Sequence, residues 1–286
     1  MAIEIHRVIF EKKQLADIPK AERSLLLLMG HATNELNVLS KFILMMRKDD
    51  PPTQVEDFAE GGQIFIIMRI LVGKLHEAWE LFKARAQSDK NISEKYLKEL
   101  DNEAVEALTS LNGYFGKKNA VTEIRNKVAF HYKDKDNLIE ENFQRLPETE
   151  PWEFYLSKTH GNTFYYASEM VVTGSALSLA GKIDAEQTGL AGDIKAFSEL
   201  TNDVLEVSKN ITTLFSWLIS DIVTAYVPEP AVKTEKFDNG PNSRDLRCPI
   251  SSMKTKRIGH RNIERSLKRS KSEQVRHGTD GRRRRH

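Results

Sequence analysis

The chain has 286 residues, 40% of them hydrophobic and 29% charged, enough apolar material to bury a full core in one domain. Its single cysteine, Cys248, excludes an internal disulfide framework and a cysteine-rich zinc site and fits a reducing compartment, with the cytoplasm as the expected location. The net charge of +2 hides a split, because 229–286 holds 17 Lys and Arg against 7 Asp and Glu, leaving 26 basic and 34 acidic residues before it.

The opening MAIEIHRVIFEKK is too short and too interrupted for a signal peptide. Pro19 sits where a first helical turn begins, and a long helix is expected from about Lys20 to Lys48, with Leu25 to Leu28 as its apolar centre and Asp49-Asp50-Pro51-Pro52 as its stop. A second helix, from about Thr53 to Ser88, is apolar on most sides between Ile64 and Leu75 and then narrows to Leu75, Ala78, Trp79 and Phe82, the pattern of a central helix. Shorter helices are predicted over Ser93–Leu100, Asn102–Phe115, closed by Gly116, and Ala120–Tyr132. From Trp152 to Val172, WEFYLS and TFYYASEMVV are rich in aromatic and β-branched residues and flank Lys158-Thr159-His160-Gly161-Asn162, which predicts a β-hairpin insertion. The last helix, about Gly192 to Tyr226, repeats Phe197, Leu200, Val204, Val207, Ile211, Leu214 and Leu218 at three- and four-residue steps. Its apolar run from Ile211 to Tyr226 is under 18 residues and contains Asp221, so no membrane span is expected. The helical domain is thus bounded at 1–228, and 229–286, basic and poor in aliphatic residues, reads as a disordered tail.

The richest segment is Glu123 to Tyr132, EIRNKVAFHY. Val121, Ile124, Val128 and His131 share one stripe of the expected helix, with Arg125 on its flank. Cleaving RNA through its own 2′-hydroxyl needs a group that exchanges a proton near neutral pH, which imidazole supplies, so His131 is the candidate. It also needs a fixed positive charge on the scissile phosphate, a task for the planar guanidinium of Arg125, while the amide of Asn126 can orient either partner without adding charge. Arg125 and His131 stand about 120° apart around a helix and about 9 Å along it, so one copy does not bring them face to face.

Arg125-Asn126 followed by His131 resembles the Arg-polar-x4-His signature of the HEPN superfamily of small all-helical domains, many of which cleave RNA without a metal. The resemblance covers mainly this segment and the general helical pattern. It implies an all-α, HEPN-like bundle and a metal-independent endoribonuclease whose catalytic residues are Arg125, Asn126 and His131. It also implies a homodimer whose antiparallel helices compose the cleft, no cofactor, an RNA substrate, and a toxin-antitoxin or phage-defence setting with a neutralising partner. The alternative is a non-catalytic dimeric adaptor that binds a protein or nucleic acid, with Arg125 as a surface ion pair and His131 as a core histidine.

Two pairs invite a metal reading, His31 with Glu35 and His76 with Glu80, each four apart on its helix. The spacing is not that of di-metal bundles, so a buried polar network is expected instead, with Glu35 as the counter-ion of Arg69. No phosphate loop, GxSxG or paired-cysteine set occurs, so neither a nucleotide cofactor nor a metal is indicated. The basic tail can hold RNA through phosphate contacts, can neutralise the acidic body, or can be an extension without a role.

Overall fold

The computed structural model describes residues 3–46, 54–130, 137–148, 152–156, 158, 163–183, 190–227 and 231–237, with the backbone alone at 3–8, 54–58, 190–192 and 231–237. These residues are mostly helical. Among them no helix is long and apolar enough to cross a membrane.

Strand β1 (Ile3–Ile9) leads into α1 (Lys12–Asp17), which the sequence reading did not contain. A capping box opens α1, with the Glu11 N–H donating to Oε1 of Gln14 at 2.7 Å. Arg23 closes it, donating through Nη1 to the carbonyls of Ala16 at 2.9 Å and Ile18 at 3.1 Å, groups the short helix leaves unpaired.

Helix α2 (Lys20–Met46) buries Leu25, Met29, Leu36, Ser40 and Ile43, residues three, four or seven apart on one face. Helix α3 (Gln54–Phe82) runs on into a π-helical turn at Lys83–Gln87 and packs against α2 and three of the later helices, which makes it the central element. Phe65, Met68, Leu71, Val72, Leu75 and Phe82 have no exposed surface. After α4 (Lys90–Ile92), with its π turn at Ser93–Leu97, comes α5 (Asn102–Phe115). Asp101 caps α5 by accepting from the Glu103 N–H at 3.2 Å.

Helix α6 (Ala120–Ile124) and its π turn (Arg125–Ala129) lie on α3, and α7 (Leu138–Arg145) packs on α8 (Tyr166–Leu179). Helix α9 (Leu190–Tyr226) lies against α2, α3, α5 and α8. Its stripe Leu200, Val204, Val207, Ile211, Leu214 and Leu218 is buried as the spacing requires, and Ser208 meets Ser40 of α2 at 3.1 Å. Strand β2 (Ala231–Phe237) then pairs antiparallel with β1, Ile3 opposite Phe237 and Ile9 opposite Ala231. This strand falls in the stretch read as tail, so the folded unit reaches at least to Phe237; 238–286 lies outside the described residues.

The hairpin expected at 152–172 is corrected. It reduces to one antiparallel bridge, Tyr155 with Phe164, closed by two backbone hydrogen bonds of 2.8 Å, and from Tyr166 the chain is helix. Tyr166, Met170, Gly174 and Leu177 step by three and four, so the aromatic and β-branched content that suggested a strand forms a buried helical stripe. The helix ends as a Schellman motif, with Gly181 at φ 63°, Lys182 N–H donating to Leu177 and Gly181 N–H to Ser178, both at 3.0 Å.

Candidate functional site

The motif segment begins at Asn119, whose side chain accepts from the Thr122 N–H at 2.9 Å and starts α6. Ala120, Val121, Ile124 and Val128 are buried, which fixes the rotation of the segment and leaves Arg125 and Asn126 on its rim. The α-helix predicted to continue to Tyr132 changes at Arg125 into a π turn, a wider turn that recurs at functional positions in helical proteins. Phe130 packs its ring against Gly73 of α3, where a Cβ would come within 2.1 Å of the ring carbon Cε2. His131, the third predicted catalytic residue, lies outside the described residues, as does Tyr132.

Arg125 is 37% exposed and donates through Nη2 to Oε1 of Glu77 on α3 at 2.9 Å. Its Nη1 donates to Oδ1 of Asn126 at 3.1 Å, so the neighbouring amide orients the guanidinium. Glu77 is 59% exposed, and an ion pair this open contributes only about 0–1 kcal/mol. The pair is therefore easily displaced by an anion that can take both guanidinium donors.

The residue beside Glu77 is His76, which the sequence reading weighed only as half of a metal pair. Its side chain is 15% exposed, its Nδ1 is buried with no hydrogen-bond partner among the described residues, and that atom lies 3.9 Å from the same Glu77 Oε1 that holds Arg125. Burial lowers its pKa from 6.5, the positive charge of Arg125 lowers it further, and Glu80 and Glu77 oppose both. At neutral pH the ring is thus uncharged and able to accept a proton. No pattern in the sequence joins Glu77 to Arg125 across 48 residues; the packing of α6 and its π turn on α3 does.

The remaining polar expectations fall differently. Glu35 pairs with Lys74 at 2.6 Å and stands 3.7 Å from His31, whereas Arg69 turns to Glu169 of α8 at 3.7 Å and lies over the Phe65 ring at 5.0 Å. Burial raises the pKa of Glu169 and Arg69 lowers it, with burial the larger effect. Glu80 takes Lys83 at 2.7 Å. The two His-Glu pairs are thus engaged separately, and among the described residues no three metal-ligating side chains gather. Two further networks were not foreseen. Arg145 of α7 forms a nearly buried two-pronged pair with Asp193 of α9, at 3.1 and 2.7 Å, and Glu22 accepts from Lys95, Tyr96 and Tyr226. No family model matches the chain, and no curated protein or solved structure is significantly similar to it.

Proposed function

We propose that this chain is a metal-independent endoribonuclease of HEPN-like type, working as a homodimer on RNA. Arg125 binds the scissile phosphate, Asn126 holds its guanidinium in place, and His131 handles the proton. The observation that carries this reading is the presentation of Arg125 and Asn126 together at the rim of a π turn, with the guanidinium partly exposed and tied to the Asn126 amide and an exposed carboxylate. The resemblance of Arg125-Asn126 and His131 to the HEPN signature supplies the reaction class, and with it a toxin or phage-defence role checked by a neutralising partner.

The test is cleavage of labelled total RNA in excess chelator by the parent, Arg125→Ala and His131→Ala, each shown folded by circular dichroism. The parent should cut and both variants should lose at least two orders of magnitude in rate, the scale of a missing acid-base or electrostatic contribution. Equal inertness of all three rejects the ribonuclease. A second reading, a helical adaptor, draws on an open apolar groove of about 400 Å³ lined by Ile139, Phe143, Trp152 and Phe154, of which all four are exposed. Inert but folded proteins that bind a protein partner through this groove would favour it.

A further inference from the structure

Glu77 is set between two groups that both seek its carboxylate. Its Oε1 stands 2.9 Å from Arg125 Nη2 and 3.9 Å from His76 Nδ1. The first distance is a full charge-assisted hydrogen bond; the second is longer than a hydrogen bond and closes only if a side chain moves. Nδ1 of His76 is buried and without a hydrogen-bond partner among the described residues, and a buried polar atom in that state is costly unless a partner arrives. The side chain as a whole is 15% exposed.

We propose that Glu77 is an exchange carboxylate: when an RNA phosphodiester takes the guanidinium of Arg125, Glu77 passes to His76 Nδ1 and fixes that imidazole with Nε2 free to accept the proton of the 2′-hydroxyl. This rests on the ribonuclease reading and adds His76 to it. In the step so served, the 2′-oxygen forms a bond to phosphorus as the bond from phosphorus to the 5′-oxygen breaks. The 2′-hydroxyl proton goes to Nε2 of His76, and the departing 5′-oxygen takes its proton from the imidazole that the ribonuclease reading already supplies. Glu77 then does for His76 what a carboxylate does for any catalytic imidazole, selecting the tautomer and stabilising the imidazolium that forms.

The exchange links binding to reactivity. Facing His76 are Arg125 from the π turn after α6, Glu77 and Glu80 from α3, and Lys83 from its continuation. While Arg125 is unliganded, its charge and the buried site favour the neutral ring. A bound phosphate neutralises Arg125 and releases Glu77 towards Nδ1, and both changes raise the proton affinity of the ring only when a substrate is present.

The test uses the full chain, with Glu77→Gln, His76→Gln and Arg125→Ala, and a 2′-O-methyl RNA dinucleotide that binds without being cut. The His76 ring signal, assigned by its loss in His76→Gln, is titrated by NMR with and without saturating dinucleotide. Its midpoint should move to higher pH with ligand in the parent, move less in Glu77→Gln, where only the neutralisation of Arg125 remains, and stay put in Arg125→Ala. With cleavable RNA, Glu77→Gln should lower KM and kcat together, several-fold each, because it frees Arg125 but leaves His76 unsupported. A structural carboxylate would not give that opposing pair. A midpoint that ligand does not move, or that moves equally in Glu77→Gln, overturns the exchange. If RNA cleavage by the parent still depends on Arg125, only this inference falls; if the dinucleotide does not bind and RNA is not cut, both fall.

Discussion

His76 sits where burial and Arg125 both disfavour its charged form, so its folded-state pKa lies below 6.5. The unfolded chain then takes up that proton first, and stability is whole above about 6.5 and declines as pH falls towards the folded-state value. We expect thermal unfolding of the parent to lose ground to His76→Gln as pH drops from 7 to 5.5; a constant difference between the two would contradict the burial. Arg145 and Asp193 make a second residue-scale case. Their side chains are 8% and 11% exposed, and Asp193→Ala removes the carboxylate that takes both prongs of a nearly buried guanidinium. Breaking such a pair costs about 3–5 kcal/mol, which urea unfolding should show as an earlier midpoint.

At the scale of elements, the fit of the π turn on α3 depends on a missing side chain. Gly73 admits the Phe130 ring, and a methyl there meets it at 2.1 Å. Glycine in a helix interior is worse than alanine by about 0.5–1 kcal/mol, so with the ring deleted, Gly73→Ala should stabilise by about that amount. In the parent the gain should vanish or reverse, because the ring must move. Additive effects in a double-mutant cycle would show that Phe130 does not rest there.

Legibility follows the same physics. Asn102–Phe115 was readable to its ends because Asp101 caps it and Gly116 follows it, and the stripes of α2 and α9 carried their own period. Helix α8 was read as strand because Phe164, Tyr165, Tyr166, Val171 and Val172 outweighed the steps from Tyr166 to Leu177, and packing on the bundle overrode that local preference. Of the candidate site, the motif singles out Arg125 and Asn126, which the structure places side by side. Their partners His76 and Glu77 were not legible, since they lie 48 residues from Arg125 in the case of Glu77 and meet it only through the packing of α6 on α3.

For the molecule as a whole, β1 and β2 join the chain's first strand to the stretch after α9, and the basic residues beyond Phe237 follow that closure. Truncation after Phe237 should leave the unfolding temperature unchanged while weakening RNA binding and flattening its salt dependence, as expected when phosphate-contacting cations are removed. An unchanged salt slope would assign the tail no part in RNA binding. In the proposed reaction RNA is cut by its own 2′-hydroxyl, with Arg125 on the phosphate. The measurement that reaches this most directly uses a defined end-labelled RNA in excess chelator, beside the same RNA carrying a single 2′-deoxy substitution at the cleaved position. The first should yield a 2′,3′-cyclic phosphate end and the second should remain intact at that position. Cutting of the deoxy-substituted position, or no cutting of either RNA by folded protein, would contradict it.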